Sequence, residues 1–130
     1  MTLTNEAALR MNAASPSLPW FTEPSPWGGP IASPALLITA LTSACTAYRR
    51  DHPIGGVPVD GAYELRNLHG PLFLDRPYRV WSEVIGRGQS PKTEYIWYES
   101  HVADEADRCC AELRMQLRFV KRTAGPTLLT

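Results

Sequence analysis

The sequence has no excess of either charge: thirteen basic residues balance thirteen acidic ones, and the pI is about 6.8. That argues against the basic surface by which a small domain holds nucleic acid or an anionic membrane, and no local basic cluster stands in for it. Cysteine is scarce. Three in 130 residues, two of them the adjacent Cys109 and Cys110, make a poor disulfide framework, and with Cys45 they match no zinc-ligand spacing. The scarcity fits a reducing compartment, so a cytoplasmic location is expected. Residues 1–15 lack the basic start and apolar run of a signal peptide. The greasiest stretch, 35–48, is too short and too broken by Thr and Ser to span a bilayer. There is no Ser-His-Asp order, phosphate-binding glycine loop, dinucleotide glycine pattern, repeat or low-complexity tract. No cofactor and no metal is expected.

What is present is organised around one stretch. From Phe21 to Pro34 the chain carries Pro24, Pro26, Pro30 and Pro34 with Gly28-Gly29 between them, which excludes helix and central strand. The run Ala35 to Tyr48 is then apolar on nearly every face, so a helix there is expected to be covered on most sides. Ser33 is placed to cap it, Pro34 suits its first turn, and Arg49 and Arg50 oppose the dipole at its end. The central helix is therefore predicted over 34–50. Upstream, residues 1–33 hold a short helix headed by Thr4, with Glu6 in its first turn, and the Pro/Gly loop.

Beyond the turn-rich 51–56 the period changes from helical to extended. Strands are predicted near 58–68, 76–88, 92–103 and 108–121, within 57–122, and the tail from Thr123 to Thr130 is expected to be loosely ordered. The junctions carry turn chemistry: His69-Gly70-Pro71, Gly86 to Pro91 and Ala103 to Asp107. Strands rich in Tyr, Trp, Val and Ile with short links imply an antiparallel sheet. One domain of this length with a buried helix and long antiparallel strands points to an α+β hot-dog fold, a long central helix wrapped by a curved sheet. Such a sheet covers its exposed edge by dimerising.

The segment Arg10 to Leu41, above all Pro19-Trp20-Phe21-Thr22-Glu23-Pro24-Ser25-Pro26-Trp27-Gly28-Gly29-Pro30-Ile31-Ala32, resembles the MaoC-like, (R)-specific enoyl-CoA hydratase branch of hot-dog proteins. Tyr78 to Gly88 and Thr93 to Asp104 fit that family's long hairpins. The resemblance implies an acyl-thioester site served by an Asp-x-Asn-Pro-x-His run, whose Asp and His activate a water. Aligned on Pro19, the Asp position holds Pro16, the Asn position Leu18 and the His position Phe21. Neither Pro nor Phe moves a proton. The family also polarises the thioester carbonyl with a backbone N–H at the helix mouth, a donor that falls here on Pro34, which has none. Ordinary hydration through this site is not expected. The implied ligands are acyl-CoA, a carrier-protein-bound acyl group or a free polyketide-like small molecule. The implied assembly is a homodimer, or a heterodimer with a second hot-dog subunit.

Candidates for other proton chemistry are Glu23, His69, Glu94, Tyr98 and His101. In the strand 92–103, Tyr95, Trp97, Glu99 and His101 share one face and Glu94, Ile96, Tyr98 and Ser100 the other. Both faces are mixed, so either pair, Glu99 and His101 or Glu94 and Tyr98, is left open as the one that meets a pocket. Trp20, Phe21 and Trp27 offer an apolar wall for an acyl group, Gly28 and Gly29 close backbone approach, and Ser33 a hydroxyl at the helix mouth. Arg79, Arg87 and Lys92 are candidates for CoA or carrier phosphates. Two functions follow. One is an enzyme that keeps the acyl pocket and runs altered dehydratase, isomerase or cyclase chemistry. The other is a non-catalytic subunit that shapes the acyl tunnel of an active partner.

Overall fold

A computed structural model describes residues 1–12, 18–42 and 44–122. The short helix α1 spans Asn5–Asn12, with Thr4 Oγ1 accepting the Ala7 N–H at 3.1 Å as the sequence predicts for its cap. A single 3-10 turn, Pro19–Phe21, opens the Pro/Gly loop. The predicted central helix is found as α2, Pro34–Thr42, and α3, Ala44–Asp51, residue 43 lying outside the described residues. Ser33 caps α2, its hydroxyl oxygen accepting the Leu36 N–H at 3.1 Å, with Pro34 in the first turn. Arg49 and Arg50 stand in the last turn of α3.

Four antiparallel strands follow: β1 Val57–Asn67, β2 Arg79–Gln89, β3 Thr93–Ala103 and β4 Cys109–Val120, in the order β1-β4-β3-β2. The predicted strands sit in these places, except that the second begins at Arg79 rather than 76. Asp75 has positive φ, and Pro77 makes only an isolated bridge, to Thr2, so the regular ladder starts later. Gly61 stands where β1 slips register against β4, and a Cβ there would sit 2.5 Å from Gln116 Oε1. Any larger residue at the slip would have to displace the Gln116 side chain and crowd the Gln116 carbonyl at 3.2 Å. The tail from Thr123 to Thr130, expected to be loosely ordered, lies outside the described residues.

The core lies between the helices and one sheet face. Leu36, Leu37 and Leu41 of α2 meet Ile96, Tyr98 and Val102 of β3 and Leu113, Met115 and Phe119 of β4, all within one buried cluster. Ser100 faces the same way, its Oγ 3.5 Å from the Leu41 carbonyl oxygen. The expectation that the helix is covered on most sides holds for most of α2: Leu36, Leu37 and Leu41 are buried and Ile38, Ala40 and Thr42 half-buried, while Pro34, Ala35 and Thr39 are exposed, a single four-stranded layer packing against one face only. The protein has the hot-dog arrangement of helix against a curved antiparallel sheet. Among the described residues no helix is long and apolar enough to cross a membrane.

At one sheet edge, β1 is exposed along almost its whole length. Val57 is 45 %, Val59 42 % and Tyr63 56 % accessible, so large apolar groups stand on a strand whose outer hydrogen-bonding side has no neighbour in the sheet. A long edge of that character is a template for a further strand.

Candidate functional site

The Pro/Gly loop is a folded object rather than a flexible link. Ser25 Oγ donates to the Gly29 carbonyl at 2.7 Å and accepts the Trp27 N–H at 3.2 Å, closing a tight turn that Gly28 completes at φ 120°. Ile31 N–H reaches the Trp20 carbonyl at 2.9 Å, and the Ala32 N–H reaches the Leu72 carbonyl at 2.8 Å, pinning the loop to the link before β2. Trp20 and Trp27 meet edge to face at 6.1 Å. Trp27 is nonetheless 55 % exposed, Glu23, Trp20 and Gly28 are exposed, and Phe21 and Gly29 are half-buried. Ser33 is buried, with its acceptor engaged as the helix cap. Of the positions aligned with the hydratase motif, Leu18 is exposed, Phe21 half-buried, and Pro16 lies outside the described residues.

Between the helices and the β1–β4 end of the sheet is a cleft of about 310 Å³, lined by Ile38, Thr39, Tyr98, Met115 and Leu117 with Arg49 and Asp60 at its polar end. It is large enough for a small acyl group, and its lining mixes apolar side chains with Thr39, Thr42, Arg49 and Asp60. Tyr98 is 2 % exposed and its hydroxyl reaches Met115 Sδ at 2.9 Å. The Arg49 guanidinium lies 4.9 Å above the Phe119 ring and adds a cation to the cleft's lining. From the sequence alone Arg49 reads as a helix terminator, and nothing marks Asp60. The signal for both was their position at the ends of elements that flank one groove, which only the register of β1 on β4 reveals.

The five proton-carrier candidates do not converge. Glu23 is on the exposed loop, and Glu94 is half-buried at the start of β3, cross-strand from Phe119. Tyr98 alone enters the cleft. His69 is exposed and borders a separate hollow of about 240 Å³ with Tyr78, Asp104, Arg108 and Cys110. Groups in that hollow are already engaged. Asp104 accepts the Ala106 and Arg108 N–H groups at 3.0 Å and Arg108 Nε at 3.2 Å, bonds that hold its carboxyl below the usual range. Burial pushes the Tyr78 hydroxyl up while its oxygen accepts the Phe73 N–H at 2.9 Å, and burial likewise raises the Cys110 thiol.

The open question about β3 is resolved by burial. Ile96, Tyr98, Ser100 and Val102 are 0–2 % exposed and face the helices, so Glu99 and His101 lie on the outer face. There His101 sits between two carboxylates, Nε2 at 3.5 Å from Glu99 Oε2 and Nδ1 at 3.5 Å from Glu112 Oε1, with the Trp81 ring stacked at 5.3 Å. Glu99 is gripped by Arg114 through Nη2 at 2.6 Å and Nε at 3.0 Å, and this bond to Glu99 raises the guanidinium pKa further. Of the phosphate candidates, Arg79 is paired with Asp107 and stacked over Trp81, while Arg87 and Lys92 are exposed.

The sequence matches no protein-family model and no curated protein. Solved structures do resemble it. The C-terminally truncated HadBC (3R-hydroxyacyl-ACP dehydratase) complex from Mycobacterium tuberculosis superposes with a TM-score of 0.72 at 9 % identity, covering 91 % of this chain and 88 % of that one. The (R)-hydratase from A. caviae involved in PHA biosynthesis gives 0.65 at 12 % identity, over 90 % and 88 %. The MaoC-like dehydratase from Rhodospirillum rubrum gives 0.61 at 13 % identity, over 95 % and 88 %. Sheet order, helix placement and these superpositions together show that the chain has the hot-dog fold, with MaoC-like dehydratases and (R)-hydratases among its structural neighbours.

Proposed function

We propose that this chain is an acyl-thioester-binding hot-dog subunit that brings no proton-transfer pair to its acyl cleft and works against a second hot-dog subunit. The observation that carries this reading is the cleft beneath α2. Ile38, Met115 and Leu117 give it an apolar wall, and Arg49 adds a cation to its lining. An acyl chain buried along that wall gains roughly 0.8 kcal/mol per methylene, and the guanidinium suits a phosphate on the pantetheine arm. At the helix mouth Pro34 has no N–H, so this chain lacks the backbone donor that would polarise a thioester carbonyl at that position. The scattering of Glu23, His69, Glu94 and His101 over separate surfaces favours binding over altered dehydratase, isomerase or cyclase chemistry. The exposed β1 edge is where a partner sheet is expected to join.

The test is calorimetric titration of the purified chain with a medium-chain acyl-CoA, with CoA alone and with the free acid, beside native mass spectrometry of the same sample. Saturable binding that prefers the acyl-CoA and is lost when Leu117→Trp fills the cleft is the expected result. The mass spectrum is expected to contain a dimer, and which subunits it holds separates a homodimer from a heterodimer. Binding indifferent to Leu117→Trp overturns the assignment of the cleft. Turnover of an enoyl-CoA by the chain alone overturns the non-catalytic part.

A further inference from the structure

The outer face of the sheet carries a cluster that neither the cleft nor the loop uses. His101 on β3 stands directly across from Glu112 on β4, so their side chains share a face. Cys109 joins them through an irregularity in the ladder. The pairing steps from Val102 opposite Ala111 to Ala103 opposite Cys109, so Cys110 is an extra residue on β4. An inserted residue reverses the alternation of side chains beyond it, and bulges commonly re-aim a side chain in this way. Cys110 is therefore buried at 6 % with its thiol reaching the Val102 carbonyl at 3.4 Å, while Cys109 is brought to His101 and Glu112. One ligand atom from each of the three lies within 4.8 Å of the others, and all three residues are half-buried.

We infer that His101, Cys109 and Glu112 form a binding site for a divalent zinc-class cation. A thiolate, an imidazole and a carboxylate are the donor set of a borderline-soft ion, and thiolate plus carboxylate neutralise its two charges. Bonds of about 2.0–2.3 Å place the ligand atoms of a tetrahedral ion about 3.3–3.6 Å apart. His101 Nδ1 and Glu112 Oε1 are already separated by 3.5 Å, so rotation of the short Cys109 side chain closes the set. Cys109 enters as the thiolate, its proton passing to the buffer. The fourth position is left for water or an incoming ligand.

The surrounding groups orient these three as a metal requires. His101 presents its other nitrogen to Glu99 at 3.5 Å, a carboxylate–histidine contact of the kind that orients a metal-ligating ring. Arg114 holds Glu99, Trp81 stacks on the ring, and Arg66 Nη1 holds the other Glu112 oxygen at 3.5 Å. On the Nε2 side, the alternative set of Glu83, Glu99 and His101 has no thiol, and its Glu83 is exposed. The Nδ1 side is therefore the site.

The test is titration of the purified full-length chain with Co²⁺, read by absorption, followed by displacement with Zn²⁺. One ion per chain with a thiolate-to-cobalt charge-transfer band is expected. Cys109→Ser is expected to abolish the band and Cys110→Ser to leave it intact. Glu99→Gln, which removes no ligand, is expected to weaken Zn²⁺ binding about 10–100-fold. Should Cys109→Ser fail to fold, His101→Asn and Glu112→Gln supply the same readout from neighbouring surface positions. No saturable binding, or a band that survives Cys109→Ser or disappears in Cys110→Ser, overturns the site.

Discussion

The two faces of the one sheet differ more than any two elements of the molecule. Toward the helices, β3 and β4 present Ile96, Tyr98, Val102, Leu113, Met115 and Phe119, every one at 2 % exposure or less. Away from the helices the same strands present Glu99, His101, Glu112 and Arg114, linked by ion pairs and partly wet. Residues one position apart thus live in different solvents. The inner face can hold an apolar chain and is poor in groups able to carry a proton. The outer face is rich in such groups and has no enclosed space for an acyl substrate among the described residues. A hot-dog hydratase needs both properties at one place, and this chain keeps them on opposite sides of a strand.

The largest effect that tests this division comes from the dry side. Phe119 is wholly buried at the end of β4, under the Arg49 guanidinium. Phe119→Ala is expected to lose about 3–5 kcal/mol, the transfer term plus the cavity left behind. Urea unfolding measures it, and a loss no larger than that of an outer-face substitution would break the comparison. A smaller effect comes from Ser100, a polar residue fully buried on that side. Ser100 Oγ lies 2.6 Å from Ser82 Oγ and 3.5 Å from the Leu41 carbonyl oxygen, tying β2 and α2 to β3. Ser100→Ala is expected to lose about 1–3 kcal/mol, toward the lower end because half-buried Ser82 keeps access to water. Unchanged stability would mean that the hydroxyl pair does not link these layers.

How much of this division was legible in the sequence differs from strand to strand. Ser33 and Pro34 announced the helix start, because a cap and a residue without an N–H act locally. The strand positions were also legible, since Tyr, Trp, Val and Ile between Gly and Pro punctuation need no tertiary context to be read. The inward face of β3 was not. Both of its faces mix aromatic and acidic residues, so alternation alone is silent. The decisive signal lay one strand away, in the cleaner alternation of β4, with Leu113, Met115 and Phe119 against Glu112, Arg114 and Arg118. Pairing Ser100 with Leu113 transfers that polarity to β3, and the register is a tertiary fact. The Cys109 cluster was hidden for a similar reason. Its ligands come from two strands, and the extra residue at Cys110 reverses the alternation that a linear reading assumes. Arg49 and Asp60 were missed because the groove between them exists only once β1 lies against β4.

The smallest expected effect is on the wet side and sharpens the contrast most finely. Arg114 holds Glu99 with two hydrogen bonds to one carboxylate oxygen, yet its side chain is 59 % exposed and Glu99 is 21 % exposed. Water competes for both partners, and ordering two long side chains opposes the Coulomb gain. Arg114→Met keeps the apolar stem over the sheet and removes the charge, so its destabilisation is expected to be smaller than that of Ser100→Ala. The residual difference from wild type is expected to shrink as salt is raised, because screening acts on exposed pairs and hardly on buried ones. Phe119→Ala, measured alongside, is expected to keep its full deficit at every salt concentration. Thermal melts of the two variants across a salt series therefore read out the dielectric of each face. An Arg114→Met deficit that persists at high salt would mean that the outer face is as dry as the inner one, as it would be if a partner subunit covered it.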